Sequence, residues 1–184
     1  MIARQDEFER VAMPHTQGLL RVARRITPDR AAAEDLVQET LLRAWRSFDR
    51  FQSGTNARAW LFRILFNAYY TQGRKLRAGP VLVSLHQPGS EREPQRGAAP
   101  SLLDAAAVTR AIEELSTEHR AVFLLGAVEG FTCREMAEIL ALPIGTVMSR
   151  LSRARQALRE RLGPAAPNFT RPEHSAQCAT KEAS

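Results

Sequence analysis

The residues from Glu129 to Leu162 constrain the fold most, because they predict two helices that meet at a short turn. Thr132 and Glu135 have the spacing of a capping box, which marks the start of the first helix. Pro143 ends that helix, since its ring cannot donate a backbone hydrogen bond. The second helix continues to the end of the stretch with one narrow apolar stripe. This pattern is typical of a helix-turn-helix, whose second helix can lie in a DNA major groove.

The polar face of that second helix carries small and basic side chains at its N-terminal end, where base-reading residues must lie. Thr146, Ser149 and Arg153 share this face, and Arg150 lies at its flank. Arginine suits such a surface because its guanidinium pairs with guanine N7 and O6 or holds a phosphate. A helical hairpin with a solvated basic face is the alternative interpretation. The sequence favours DNA binding over it.

Net charge and composition are consistent with a polyanionic partner. The formal net charge is +6 and the calculated pI is about 10.3, which fits nucleic acid or an anionic membrane surface. No apolar run approaches the roughly 20 residues that a membrane-spanning helix needs, so we expect no membrane insertion. The first residues lack the apolar segment of a secretory signal, and the two cysteines lie in different segments. We therefore expect a protein of the reducing cytoplasm.

Helical periodicity continues through most of the remaining chain and predicts an all-α fold. Pro14 should kink or break the first helix, since its ring disrupts the backbone hydrogen bonds. On the second helix, Asp35, Gln38 and Glu39 form one exposed polar patch through their i, i+3 and i+4 spacing. The predicted helices comprise residues 5–26, about 30–47, 57 to about 75, 102–114 and 117 to about 129.

The third predicted helix is unusual because aromatic residues alternate with basic ones along it. Such a surface suits unstacked bases, which offer a π-face and a phosphate together. A wide core face with arginine stems packed over its edges is the other interpretation, and the sequence leaves both open. The aromatic residues are Trp60, Phe62, Phe66, Tyr69 and Tyr70, and Thr55 or Asn56 can cap the helix.

The periodicity stops at residues 78–101, where several prolines and glycines with mixed charge predict a flexible linker. The linker divides the chain into two small helical domains, residues 1–77 and 102–163, and residues 164–184 have the composition of a disordered tail. No Gly-rich phosphate loop, zinc-protease motif or nucleophile elbow occurs, and paired carboxylates lie only on exposed helix faces. We therefore expect no enzymatic activity, no cofactor and no metal site.

Three sequence runs resemble bacterial RNA polymerase sigma factors of the sigma-70 family. They are AAAEDLVQETLLRAW at 31–45, TNARAWLFRILFNAYY at 55–70 and PIGTVMSRLSRAR at 143–155. The resemblance covers about residues 8–162 and is closest to the extracytoplasmic-function (ECF) group, which keeps only two DNA-reading domains. It implies a region 2-like helical bundle followed by a region 4-like helix-turn-helix domain.

The resemblance also implies roles for individual residues. The DLVQE run is similar to the segment that docks on the β′ clamp helices of core polymerase, and the region 4-like domain is expected to meet the β flap. Met148 stands where many relatives carry a basic residue, which puts one shared −35 contact in doubt. Asp35, Gln38 and Glu39 are the expected polymerase-binding residues. The expected −10 DNA-binding residues are Asn56, Arg63, Asn67, Tyr70, Arg74 and Lys75. The expected −35 DNA-binding residues are Thr146, Ser149, Arg150 and Arg153.

By this resemblance the chain is a promoter-specificity subunit that binds core RNA polymerase and promoter DNA and directs transcription of stress-response genes. The same resemblance implies an anti-sigma factor as a further partner. Two alternatives stay open. An ordinary helix-turn-helix regulator would bind an operator without joining the polymerase, and a sigma-like decoy would sequester an anti-sigma factor without starting transcription.

Overall fold

The computed structural model describes residues 2–52, 54–78 and 105–163, in which all regular secondary structure is helical. The predicted all-α fold is confirmed. The elements are α1 (Ile2–Ala12), a 3₁₀ turn (Met13–His15), α2 (Thr16–Ile26), α3 (Arg30–Ser47), a 3₁₀ turn (Phe48–Arg50), α4 (Ala57–Ala78), α5 (Ala105–Glu113), α6 (Thr117–Phe123), a π-helical segment (Leu124–Val128), α7 (Cys133–Leu140) and α8 (Ile144–Leu162).

Local signals in the sequence set most of the helix ends. The predicted break at Pro14 is confirmed, because the 3₁₀ turn that contains it separates α1 from α2. The Asp29 carboxylate caps α3 by accepting a hydrogen bond from the Ala32 N–H at 2.8 Å. Asn56, one of the two candidate caps of α4, accepts a hydrogen bond from the Ala59 N–H at 3.0 Å.

In the N-terminal half, α2, α3 and α4 pack against one another, and α1 packs against α4. Phe8 of α1 meets Trp45 and Phe48 edge to face, with ring centroids 5.2 Å apart in both pairs. Phe62 and Phe66 of α4 are fully buried. Both phenylalanines therefore belong to the core, as in the second interpretation of the aromatic helix. The reason is that neighbouring helices enclose α4 on more than one side.

The C-terminal helices α5 to α8 form the predicted helix-turn-helix domain. Thr132 and Glu135 make the predicted capping box at the start of α7, with both hydrogen bonds present. Ala141 ends α7 in the left-handed region at φ 52°, which turns the chain toward Pro143, the N-terminal cap position of α8. The helix predicted from Thr117 to about Glu129 is helical as far as Val128, with a change from α-helix to π-helix at Leu124.

The two groups of helices also pack against each other, chiefly α4 against α7 and α2 against α6. The predicted linker beyond Ala78 and the predicted tail lie outside the described residues. The domain bounds drawn from the sequence therefore remain predictions.

His15 should make stability depend on pH. Burial, and secondarily the positive charge of Arg58, hold the pKa of this half-buried histidine below its ordinary value of 6.5. The folded chain thus takes up the proton less readily than the unfolded chain. As the pH falls below about 6.5 we expect the free energy of unfolding to decrease, until His15 protonates in the folded state too. In urea denaturation on either side of pH 6.5, His15→Gln should show a weaker pH dependence than the unchanged chain; equal slopes would contradict the assignment.

Candidate polymerase and nucleic-acid interface

The exposed face of α3 brings together the three residues expected to bind polymerase. Asp35 and Gln38 are exposed, whereas Glu39 is half-buried. Arg43 donates to the Glu39 carboxylate at 2.6 Å, so this glutamate already has an intrahelical partner. Leu42 lies one turn further along the same face and is 51% exposed. An exposed leucine next to polar groups is typical of a protein-binding surface.

One stripe of α4 carries the residues expected to bind −10 DNA. Arg63, Asn67 and Tyr70 follow one another at i, i+4 and i+7, and therefore lie on the same side of the helix. Arg63 and Asn67 are exposed. Asn56 lies at the N-terminal end of this stripe and is exposed as well. The backbone of Arg74 and Lys75 belongs to α4, but their side chains lie outside the described residues.

Tyr70 differs from the rest of that stripe because it is half-buried. Its ring packs against Phe66 and Tyr69, with centroid distances of 6.1 and 5.5 Å. Burial raises the pKa of its hydroxyl and Tyr69 adds to the rise, whereas the positive charge of Arg150 opposes it. The charge that lowers the pKa of Tyr70 thus belongs to Arg150, a residue expected to bind −35 DNA.

The N-terminal half of α8 brings together the four residues expected to bind −35 DNA. Ser149 and Arg153 are exposed, and Thr146 is half-buried. The Ser149 hydroxyl donates to the Thr146 carbonyl at 3.0 Å. Arg150 is only 22% exposed and forms an ion pair with Glu118 of α6 at 2.7 Å. Of the two arginines, Arg153 is thus presented to solvent and Arg150 is held against its own domain.

Two further exposed positions lie near the N-terminal end of α8. A Cβ atom added at Gly145 would have no contact within 4 Å beyond its own helix backbone and chain neighbours, so local packing does not require a glycine there. A glycine at this place leaves room for a phosphate backbone to approach the helix. Met148 is 51% exposed and presents an apolar side chain on this surface.

Sequence reasoning missed a buried acidic residue between the two groups of helices. Glu129 is 5% exposed, and its carboxylate accepts hydrogen bonds from Arg21 at 2.9 Å and from Arg58 at 2.7 Å. These arginines lie on α2 and α4. The only local signal was an acidic residue directly after the apolar Val128 and two positions before Phe131. Its partners are 108 and 71 residues away in the chain, so no local pattern identifies them.

Nowhere in residues 2–52, 54–78 and 105–163 do three or more histidine, cysteine, aspartate or glutamate side chains gather as a metal ion would require. Over the same residues, none of the helices has the length and apolar character needed to cross a membrane.

Comparison with known proteins assigns both groups of helices to one family. The family described as Sigma-70 region 2 matches residues 12–78, and the family described as Sigma-70, region 4 matches residues 105–158. The first match contains the polar face of α3 and the stripe of α4. The second contains the helix-turn-helix.

Several relatives match over most of the chain. The ECF RNA polymerase sigma factor SigL of Mycobacterium tuberculosis is 38% identical over 146 residues, which are 79% of this chain and 82% of the relative. The sigma factor RpoE of Bartonella quintana, in complex with the anti-sigma factor NepR, is 34% identical with a TM-score of 0.70 over 85% of this chain and 96% of that one. CnrH, in complex with the cytosolic domain of CnrY, is 26% identical with a TM-score of 0.61 over 85% of this chain and 87% of that one. The chain therefore belongs to the extracytoplasmic-function group of sigma-70 family RNA polymerase sigma factors.

Proposed function

We propose that this chain binds core RNA polymerase and gives it promoter specificity through three separate faces, on α3, α4 and α8. The single observation that carries the proposal is that the exposed candidate residues group by helix, with Asp35 and Gln38 on α3, Arg63 and Asn67 on α4, and Ser149 and Arg153 on α8. The polymerisation chemistry belongs to the core enzyme, and the chain itself contributes binding and orientation.

We assign polymerase docking to the face of α3. Asp35 and Gln38 supply exposed polar contacts, and Leu42 supplies an apolar anchor one turn beyond Gln38. Anchors of this kind contribute most when polar groups around them exclude water from the contact. Glu39 completes the polar part of this face. Its ion pair with Arg43 keeps both side chains ordered along the helix.

We assign the melted −10 strand to the stripe of α4. The Asn67 amide both donates and accepts hydrogen bonds, as recognition of a base edge requires, and Arg63 supplies charge for a phosphate. Asn56 supplies a second amide at the entry to the helix. Because these groups contact bases only after they unstack, their binding energy offsets part of the cost of opening the duplex, a few kcal/mol per step.

We assign the −35 duplex to the N-terminal half of α8. Arg153 and Ser149 are exposed at the position from which a recognition helix reaches base edges. Arg150 has further guanidinium N–H groups besides those that meet Glu118, and can reach a base or phosphate if that ion pair rearranges.

Arg153→Ala should weaken binding to a −35 duplex by about 1–3 kcal/mol, because an arginine that pairs with a base edge supplies energy of this size. Binding to core polymerase should not change. Arg159→Ala is the matched control, since it removes the same charge from an exposed position nearer the end of α8. Fluorescence anisotropy of labelled −35 DNA, titrated with holoenzyme, measures the DNA affinity of each variant. If the two variants weaken binding equally, Arg153 attracts the DNA only through its charge and does not contact a base.

An anti-sigma factor is a further proposed partner. It is supported by the two solved relatives, RpoE and CnrH, each of which is in complex with another protein, NepR in one case and CnrY in the other. We place the action of this chain in the cytoplasm, where polymerase and chromosome are. The proposed control of stress-response genes remains a prediction from the sequence resemblance.

Reconstituted transcription tests the proposed function. Purified core polymerase with this chain should start transcripts at defined positions on a pool of random promoters, and sequencing the transcribed fraction should return two conserved elements. A helix-turn-helix regulator would bind DNA but would not associate with core polymerase. A decoy would bind an anti-sigma factor but would give no defined start sites. Either result would contradict the proposal.

A further inference from the structure

Two large apolar side chains are exposed on the helix that we assign to the −35 duplex. Ile144 is 44% exposed and Met148 is 51% exposed. They are two of the five large apolar side chains that are exposed in the part of the chain that the structure describes, and the other three, Met13, Leu42 and Val128, lie on three different elements. Single exposed apolar residues are common on protein surfaces, whereas neighbouring ones on a binding surface indicate a specific contact.

The two side chains lie along the first turn of α8. They are four residues apart and therefore share one side of the helix. Long side chains on a helix lean toward its N-terminal end, so Met148 covers the turn that begins at Ile144. This end of a recognition helix is the part that reaches base edges in the major groove. We call Ile144 and Met148 together the apolar edge.

The apolar edge is continuous with the polar surface that we assign to −35 DNA. Ser149 is exposed directly beside Met148, and the exposed Ser152 follows Met148 one turn later on the same side. Gly145 is exposed beside Ile144. Because these neighbours are small, DNA can approach the helix closely enough for the two larger side chains to meet base edges.

The opposite flank of α8 contributes less to the exposed surface. Arg150 lies there, and its side chain is 22% exposed and paired with Glu118 at 2.7 Å. The groups that face solvent at this end of the helix are therefore Ser149, Arg153 and the apolar edge. Base recognition by these groups combines polar contacts with an apolar one.

The charge around the apolar edge favours DNA as the molecule that covers it. From Ile144 to Arg159, α8 has no acidic residue and four arginines, at positions 150, 153, 155 and 159. The N-terminal end of the helix adds partial positive charge. Phosphates line both sides of the major groove and are attracted by a surface of this sign. Both residues of the apolar edge also lie within the match to Sigma-70, region 4.

The major groove offers one apolar group to such a pair of side chains. All four bases present hydrogen-bond donors or acceptors there, and thymine alone adds a C5 methyl group. An apolar side chain against a G·C pair would bury polar groups without partners, which costs free energy. Against thymine it buries the methyl group instead, which is favourable. The chemistry of the apolar edge therefore selects thymine.

We propose that the apolar edge, with Met148 as the main contact, recognises the C5 methyl group of a thymine in the −35 element and makes that base pair of the promoter specific. The proposal rests on the proposed function, because it places duplex DNA against α8. Methionine suits this contact, since its unbranched thioether chain adapts to the shape of its partner. Ile144 supports it as a second apolar wall.

Deoxyuridine tests the proposal, because it lacks only the C5 methyl group and keeps the base pairing of thymine. Holoenzyme made from core polymerase and the full chain first selects its preferred −35 element from random duplexes. Each thymine of that element is then replaced in turn by deoxyuridine, and fluorescence anisotropy of the labelled duplexes measures their affinity for holoenzyme. One replacement should lower the affinity about fourfold, as expected when one buried methyl group is lost.

Met148→Ala should remove this preference, so that thymine and deoxyuridine at that position bind equally well. Met13→Ala is the matched control, because Met13 is a methionine of similar exposure, 45%, in the N-terminal half. The control should keep the preference for thymine. Met148→Arg, selected on the same random duplexes, should return guanine in place of thymine, since arginine pairs with guanine N7 and O6.

Each result decides the proposal. A selected −35 element without thymine, deoxyuridine replacements that leave the affinity unchanged, or a preference for thymine that survives Met148→Ala would overturn it. Weaker binding of Met148→Ala to core polymerase, with the preference intact, would overturn it too, because the apolar edge would then contact protein. Failure of the proposed function looks different, since the unchanged chain would then select no −35 element at all.

Discussion

Replacing Asp35 with arginine is expected to lower the affinity for core RNA polymerase by about a hundredfold or more, because a charge reversal inside a complementary interface costs several kcal/mol. Asp35 is exposed and has no ion-pair partner among the described residues, so its charge is available to the polymerase. The fold should not change, since Asp35 does not contribute to the core. The loss should appear in a pull-down with core polymerase and in transcription from any promoter.

Asp6→Arg is the matched control for this prediction. Asp6 is exposed on α1, and its replacement changes the net charge by the same amount. The control should keep nearly all of its affinity. If both variants lose affinity equally, the effect is one of overall charge, and the polymerase-binding face has been assigned to the wrong helix. Transcription that survives Asp35→Arg would have the same meaning.

Phe62→Ala should lower the free energy of unfolding by about 3–5 kcal/mol, the usual cost of removing a buried phenylalanine. Phe62 is completely buried in α4, and its ring also meets Phe131 of the C-terminal half. Alanine leaves a cavity that rigid neighbouring helices fill only in part. Urea denaturation followed by circular dichroism measures the change.

Met148→Ala is the control for stability, because Met148 is 51% exposed on α8 and an exposed substitution usually changes stability by less than about 0.5 kcal/mol. A change below about 1 kcal/mol for Phe62→Ala would mean that the site collapses around the smaller side chain. It would also return the aromatic face of α4 to the alternative in which it binds DNA bases rather than forming core.

The sequence by itself determined the helices and most of the places where they end. Asp29, Pro14 and the Thr132–Glu135 capping box act through backbone groups within four residues of themselves, so their effects can be deduced from spacing alone. The apolar stripe of α8 is local in the same sense, and its residues Val147, Leu151 and Leu158 are buried as the periodicity predicts. The candidate DNA-binding residues came from the resemblance to sigma factors, and helical spacing decides only which of them share a face.

Only the tertiary structure decided which aromatic side chains are core and which charges are paired across the molecule. Phe62 and Phe66 are buried because α4 is covered on several sides, which periodicity of a single helix cannot reveal. Glu129 looks like an ordinary acidic residue in the sequence. It becomes a buried contact because the fold brings Arg21 and Arg58 to it over separations of 108 and 71 residues. Pairings at such distances depend on how whole helices pack, and local sequence carries no record of them.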